Sequence, residues 1–202
     1  NKDITDSIFY AKKIQHAILP PLPLIRRYLP ESFVLYMTKD IVSGDFFWFG
    51  HFENYSIIAA IDCTGHGVPG AFMSLIGYSA LNRIVNEQKI HEPSKILEAL
   101  NMGVISILHK NDSESKDGMD IAICKIDHKS GTVWYAGAMR PLWLVNGSDF
   151  TEIKADKIPI GTKPADREGG ISYTTNHRLK LHDELTLIQQ YDINYIEASN
   201  GS

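Results

Sequence analysis

The stretch Ile57-Ile58-Ala59-Ala60-Ile61-Asp62-Cys63-Thr64-Gly65-His66-Gly67-Val68-Pro69-Gly70-Ala71 decides how this chain reads. An apolar, strand-forming run stops at an aspartate, a Gly-His-Gly turn follows, and a helix-forming segment begins. The layout puts a carboxylate at the end of a buried strand, beside a loop whose glycines let the backbone come close to a ligand. A second aspartate has a similar setting upstream, in Ile41-Val42-Ser43-Gly44-Asp45-Phe46-Phe47. Two carboxylates at strand ends, with no thiol or histidine cluster beside them, point to hard, oxygen-preferring divalent cations.

Outward from this stretch, residues 32–38, 44–52 and 55–62 read as strands rich in Phe, Tyr, Val and Ile. Residues 69–88 read as a helix with Ala71, Leu75, Ile76, Leu81, Ile84 and Val85 on one broad face. Pro93 opens a second helix through Leu108. Residues 111–118 are a polar loop. Strands are expected near 119–127, 131–137 and 141–145, with His128-Lys129-Ser130-Gly131 as a hairpin turn, and further strands at 171–179 and 184–188. Strands, then two helices, then strands again is not the alternation of a doubly wound sheet. It predicts an α+β fold with antiparallel sheets and helices packed outside.

At the N-terminal end, Ile4, Ile8, Ala11, Ile14 and Ile18 recur at steps of three and four, so residues 3–19 read as a helix. Pro20, Pro21 and Pro23 end it. The stripe admits two readings: a helix packed on its own domain, or the end of a signalling helix that pairs with a second copy and relays a signal from an upstream sensor. It is too short to establish a coiled coil. The chain therefore divides into residues 1–30, a linker helix with a proline-rich connection, and a domain over residues 31–202.

The 202 residues are 44% hydrophobic and 22% charged, an ordinary globular composition. A net charge of −4 without a basic stripe argues against nucleic-acid binding. Cys63 and Cys124 fit a reducing compartment better than a disulfide framework, and a cytoplasmic location is expected. No apolar run approaches the roughly 20 residues that span a bilayer, and no charged-then-apolar leader opens the chain. It begins at Asn1 and is expected to be a piece of a longer protein, whose upstream part could anchor it to a membrane.

Asp45 and Asp62 are the sharpest pair of candidate metal ligands. Two divalent ions about 3.5–4 Å apart, held by shared carboxylates, can activate a water and clamp a phosphoryl group. Gly44, Gly65 and Gly67 let the backbone bend close to such ions, and a main-chain carbonyl after Asp62 could add a ligand. Each aspartate alone also reads as a turn or capping residue; the pair, each beside an apolar strand, weakens that reading. His66 is either a group hydrogen-bonded to a metal-bound water or serving as a proton donor, or a loop histidine tied to backbone.

Other schemes fit poorly. A cysteine-dependent phosphatase needs an arginine at a fixed spacing after its nucleophile, and Cys63 and Cys124 have Pro69 and Ser130 there. No Gly-x-Ser-x-Gly elbow and no phosphate loop ending in Gly-Lys-Ser/Thr is present. The eight histidines lack zinc-site spacing.

These segments, followed by Trp134-Tyr135-Ala136-Gly137-Ala138 and Pro159-Ile160-Gly161 in that order, resemble the metal-dependent protein phosphatases, and within them the bacterial sporulation-protein-E type related to protein phosphatase 2C. The resemblance runs from about residue 31 to about 188. The Asp62 segment is highly specific and the later motifs are weaker. The entry helix ending Ala17-Ile18-Leu19-Pro20 also looks like the linker that joins sensor domains to this phosphatase type. The resemblance implies a four-layer α-β-β-α sandwich of two mainly antiparallel sheets with a Mn²⁺ or Mg²⁺ pair between their ends. It implies hydrolysis of phosphoserine or phosphothreonine by a metal-activated water. Asp45 and Asp62 correspond to metal ligands, Asp62 bridging both ions, and the backbone oxygen of Cys63 to a further ligand. Implied substrates are phosphorylated regulatory proteins such as anti-sigma-factor antagonists; implied partners are an upstream sensor in the same polypeptide and a second copy in a homodimer.

Three positions depart from the pattern. Trp48 stands where relatives often carry a further aspartate, and Ala138 where eukaryotic relatives carry one. After the expected last strand, Leu185-Thr186-Leu187-Ile188, Gln189-Gln190-Tyr191 replaces a Thr/Ser-Asp-Gly motif, and Asp192 lies two positions late. The domain is thus expected to be incomplete or altered at its C-terminus, with weak metal binding and weak or absent turnover. The competing reading is a non-catalytic phosphatase-fold module for dimerisation or partner binding, with a degraded metal site.

Overall fold

Alternation of apolar side chains along the central strands builds two cores, one on each face of the same sheet. The computed structural model describes residues 2–108, 117–146, 149–163, 171–173, 177–180, 185–189 and 194–198. In chain order its elements are α1 (Lys2–Ile18), α2 (Leu22–Tyr28), β1 (Phe33–Leu35), β2 (Phe46–Phe52), β3 (Tyr55–Cys63), α3 (Gly67–Asn82), α4 (Pro93–Leu108), β4 (Met119–Asp127), β5 (Thr132–Ala138), β6 (Leu142–Asn146), β7 (Asp149–Ile153), β8 (His177–Lys180), β9 (Leu185–Gln189) and β10 (Asn194–Ala198). One five-stranded sheet runs β2-β3-β4-β5-β8 and the other β1-β10-β9-β6-β7, with every adjacent pair antiparallel. The α+β expectation of two antiparallel sheets flanked by helices is met.

Along β3, Ile57, Ala59, Ile61 and Cys63 face the helices, packing with Leu81, Ile84, Ile96, Leu97, Leu100 and Val104 of the α3–α4 layer. Ile58 faces the other way, into a core with Ala122, Cys124, Val133, Tyr135, Leu142 and Ile153 that the two sheets share. Because side chains alternate along a strand, Asp62 lies on the inter-sheet face, as does Asp120, its cross-strand partner on β4. The helix layer thus holds the sheet in place, and the inter-sheet seam opens at the two aspartates.

The first helix forms as read, over Lys2–Ile18, and what its sequence pattern did not mark is its buried residue. Ile4 and Ile14 are 64% and 47% exposed, while Gln15, on the polar side of the sequence pattern, is 2% exposed. The isoleucine stripe is only partly covered, with Ile8, Ala11 and Ile18 half-buried, and the helix docks through Gln15. Gln15 Nε2 donates to the Ser43 carbonyl at 2.6 Å and lies 2.8 Å from Ser74 Oγ, and the Ser43 amide donates back to Gln15 Oε1 at 3.0 Å. A side-chain amide offers donor and acceptor at once, which a buried main-chain pair requires and an isoleucine cannot supply.

The prolines that stop α1 also start α2, an element absent from the sequence reading. Pro21 caps it in extended conformation and Pro23 sits in its first turn, where the missing amide costs nothing. Ile25 and Leu29 anchor it in the inter-sheet core. Strand β2 begins at Phe46, so Asp45 precedes the strand. The helix expected at 69–88 is α3 followed by a π-helical turn, Arg83–Glu87. Residues 171–173 lie outside any strand, with Tyr173 buried in the helix-side core. Strands β7 and β10 went unread; four of the five β7 side chains are exposed, so it lacks an apolar alternation. Residues 109–116, Gly169, Gly170, Gln190, Tyr191 and Asp192 lie outside the described residues.

At the far end of the β2–β3 hairpin, Tyr28 stacks on His51 with ring centroids 3.5 Å apart. Ser56 Oγ lies 3.1 Å from His51 Nδ1 and 2.8 Å from His128 Nε2. Burial holds both imidazoles below the usual histidine value; His128 and Arg27 add to the effect at His51, and Asp127 opposes it at His128. The unfolded chain therefore takes up protons first, and stability is lost as pH falls from about 6.5 through the lowered folded values. Thermal melts between pH 7.5 and 5 should show a falling midpoint. His128→Gln, which keeps a polar atom for Ser56, should flatten part of that fall; an unchanged slope would refute the assignment.

Candidate metal centre

The centre is built on a place where two backbones touch. A Cβ at Gly44 would lie 2.7 Å from the Gly65 carbonyl oxygen and 3.1 Å from that of Cys63, closer than side-chain carbons tolerate. Gly65 holds a φ of +85°, the region that glycine enters without penalty. Only glycine at both positions brings the segment before β2 against the turn after β3. Asp45 is then fixed by its own backbone: its amide donates to Ser43 Oγ at 3.0 Å, and its carbonyl accepts from Tyr36 Oη at 3.0 Å. Burial pushes the Tyr36 phenol up to about 12, so it stays a protonated donor.

Asp45 and Asp62 line one cavity of about 50 Å³ with Lys39, Asp40, Gly65 and His66. That is room for a few water-sized particles, at about 10–15 Å³ each. His66, just before the first turn of α3, lies at the rim: its side chain is 75% exposed, and its Nδ1 lies 2.8 Å from Asp40 Oδ2. The backbone oxygen of Cys63 faces Gly44. The Cys63 thiol lies in the helix-side core, held well above the usual thiol range first by burial and then by the charges of Asp45, Asp62 and Asp120. It is not poised as a nucleophile.

Asp120 joins the group through register, directly opposite Asp62 on the ladder. Like charges at such positions repel. Burial raises the Asp120 carboxyl above the usual range, Asp62 adds to this, and Arg140 opposes it. Arg140, from the β5–β6 connection, sits between them: its Nη2 pairs with Asp62 Oδ2, and its Nε lies 3.6 Å from Asp120 Oδ2. Its position is set by Met139 at a φ of +65° and by the Tyr135 hydroxyl, which donates to the Arg140 carbonyl.

The residues present fit a divalent cation. Asp45 and Asp62 offer hard oxygens into a space with room for water, and Mg²⁺ or Mn²⁺ keeps several waters when held by one or two carboxylates. A guanidinium already drawn against Asp62 marks where positive charge is demanded. Among the described residues, no group of three or more His, Cys, Asp or Glu side chains forms a ready cluster, so a second ion would need further donors. Trp48 and Ala138 supply none, being buried in the helix-side core, where Trp48 Nε1 donates to Asn82 Oδ1 at 3.0 Å. Sequence reading missed Asp120, Arg140 and Gln15. Asp120 had a legible signal, a carboxylate in the first turn of an apolar strand; the other two had none in their neighbours.

This is the fold of a protein phosphatase 2C-type domain. Over residues 53–188 the chain matches the model of the Stage II sporulation protein E (SpoIIE) family, and it belongs to that family. The SiaA-PP2C domain of Pseudomonas aeruginosa superposes with a TM-score of 0.78 at 27% identity, over 96% of this chain and 78% of that one. The PP2C phosphatase domain with a regulatory fragment of SpoIIE from Bacillus subtilis gives 0.59 at 21% identity, over 77% and 43%. The RsbU and RsbW domains of a Mycobacterium tuberculosis protein give 0.55 at 20% identity, over 77% and 42%. No curated protein sequence matches.

Two substitutions probe how Asp45 is held. Gly44→Ala should cost about 1–3 kcal/mol in chemical denaturation, the usual range for overpacking, and should weaken Mn²⁺ binding by calorimetry. Gln15→Ala leaves a buried main-chain pair unmet and should cost about 1–3 kcal/mol. If Gln15→Ala unfolds at the wild-type denaturant midpoint, the amide clamp is not what docks α1.

Proposed function

We propose that this chain is a metal-dependent protein serine/threonine phosphatase of bacterial signalling, hydrolysing phosphoserine or phosphothreonine in a phosphorylated regulatory protein, such as an anti-sigma-factor antagonist. The observation that carries the reading is the meeting of Asp45 and Asp62 in one water-sized cavity, in a chain of the SpoIIE family. These two carboxylates and the Cys63 backbone oxygen would hold Mn²⁺ or Mg²⁺. A bound divalent ion there supplies a water of lowered pKa and neutralises phosphoryl charge. The chain's own residues do the rest. Gly44 and Gly65 set the depth of the cavity, Ser43 and Tyr36 keep Asp45 in place, and His66 stands at the rim where a leaving alkoxide could take a proton. Residues 1–30 act as the linker to an upstream sensor, with the exposed isoleucines of α1 available to a second copy. Among the described residues no helix is long and apolar enough to cross a membrane. In this reading the domain works in the cytoplasm, and any membrane anchor lies upstream.

One observation favours the second reading, a non-catalytic module of the same fold: the described donors stop short of a complete two-ion set. Hydrolysis of a small aryl phosphate with and without Mn²⁺ separates the two. The enzyme reading expects a Mn²⁺-dependent rate that Asp62→Asn abolishes, falling by at least the roughly 10–100-fold that even outer partners of a metal ligand cost. A rate that survives Asp62→Asn would sink the ligand assignment, and no Mn²⁺-dependent rate would favour the module.

A further inference from the structure

We propose that Arg140 is a substrate-binding residue for the phosphoryl group, and that Asp62 and Asp120 hold it only while no divalent ion occupies the centre. This rests on the phosphatase reading above and names a residue that reading does not use.

The contact that Arg140 makes is an imperfect one for a guanidinium. Its planar fork carries five N–H donors suited to bidentate capture of an oxyanion. Here one Nη2 pairs with Asp62, while Nε is buried without a hydrogen-bond partner, 3.6 Å from Asp120. A buried donor left unmet on a charged group is costly, so this is a site awaiting a better acceptor. The side chain is 13% exposed, pressed against the carboxylates rather than turned to solvent.

The backbone that carries it cannot drift. Met139 holds a left-handed φ of +65°, its amide donates to the Asp156 carbonyl at 2.7 Å, and the Asp156 amide donates to the Gly137 carbonyl at 2.9 Å. The Tyr135 hydroxyl, kept protonated by burial, holds the Arg140 carbonyl. Any change is then confined to the side chain. Asp62 would be the carboxylate to hold a divalent ion, and Arg140 Nη2, losing that partner, would be left to take an acceptor of another kind. The paired oxygens of a phosphoryl group match the fork that a single carboxylate oxygen leaves half used. The same residue thus balances the acidic cluster and offers its free donors to a phosphate.

The test uses the whole chain as wild type, Arg140→Gln and Arg140→Lys, with Mn²⁺ and inorganic phosphate as probes. Calorimetry first measures Mn²⁺ uptake and then phosphate binding to the loaded protein; aryl phosphate hydrolysis supplies kcat and KM. Arg140→Gln should bind Mn²⁺ at least as tightly as wild type, since a competing cation is gone. It should bind phosphate about tenfold or more weakly, the scale of a lost charge-assisted bond, with KM raised more than kcat is lowered. Arg140→Lys keeps the charge without the fork and should fall between them. A residue that merely braces the fold would lower the melting temperature and leave phosphate affinity alone. Unchanged phosphate affinity in Mn²⁺-loaded Arg140→Gln overturns the proposal. Should that variant fail to fold, wild-type phosphate affinity in Arg140→Lys overturns it instead. Absence of Mn²⁺ uptake by the wild type would remove the phosphatase reading and this proposal together, an outcome distinct from either of the others.

Discussion

Contact between the backbone at Gly44 and the carbonyls of Cys63 and Gly65 is the constraint from which the site follows. Two chain segments can approach this closely only where neither carries a side chain in the gap, and the approach sets the spacing of Asp45 from Asp62. Hydrogen bonds then hold what sterics allow. Ser43 and Tyr36 satisfy the Asp45 main chain, and Gln15 satisfies Ser43 from a helix that begins the chain. The candidate metal ligands are thereby coupled to α1, whose Ile4 and Ile14 stay exposed.

Charge is the second organising term. Alternation along β3 and β4 puts Asp62 and Asp120 on the same face, opposite each other, at the open end of the inter-sheet seam. Water screens charges poorly in such a recess, so the pair demands a cation. Arg140 answers this in the structure.

Much of this was legible along the chain. Asp45 and Asp62 stood out as a pair, each beside an apolar strand, where either alone also reads as a turn or capping residue, and the glycines beside them marked a close approach. The strands around Asp62 and helices α3 and α4 were readable from period alone. Asp120 sits at the start of an apolar strand, where Asp62 sits at the end of one, and it follows a polar stretch. The isoleucine period in α1 reported a helix and not what covers it; the docking residue, Gln15, lay on the polar side. Arg140 and Gln15 could not be read locally, because each owes its role to partners 78 and 28 residues away.

Local chemistry along the sequence therefore determined the elements, the α+β order, the strand-end aspartates and the kinship those motifs carry, because periodicity, turn residues and interrupted apolar runs are properties of neighbours. Tertiary structure alone decided which carboxylates share a face, which cation stands between them and which side of α1 meets the domain. Those outcomes depend on strand register and on the meeting of distant segments: a slip of one residue in β3 or β4 would turn its aspartate to the opposite face.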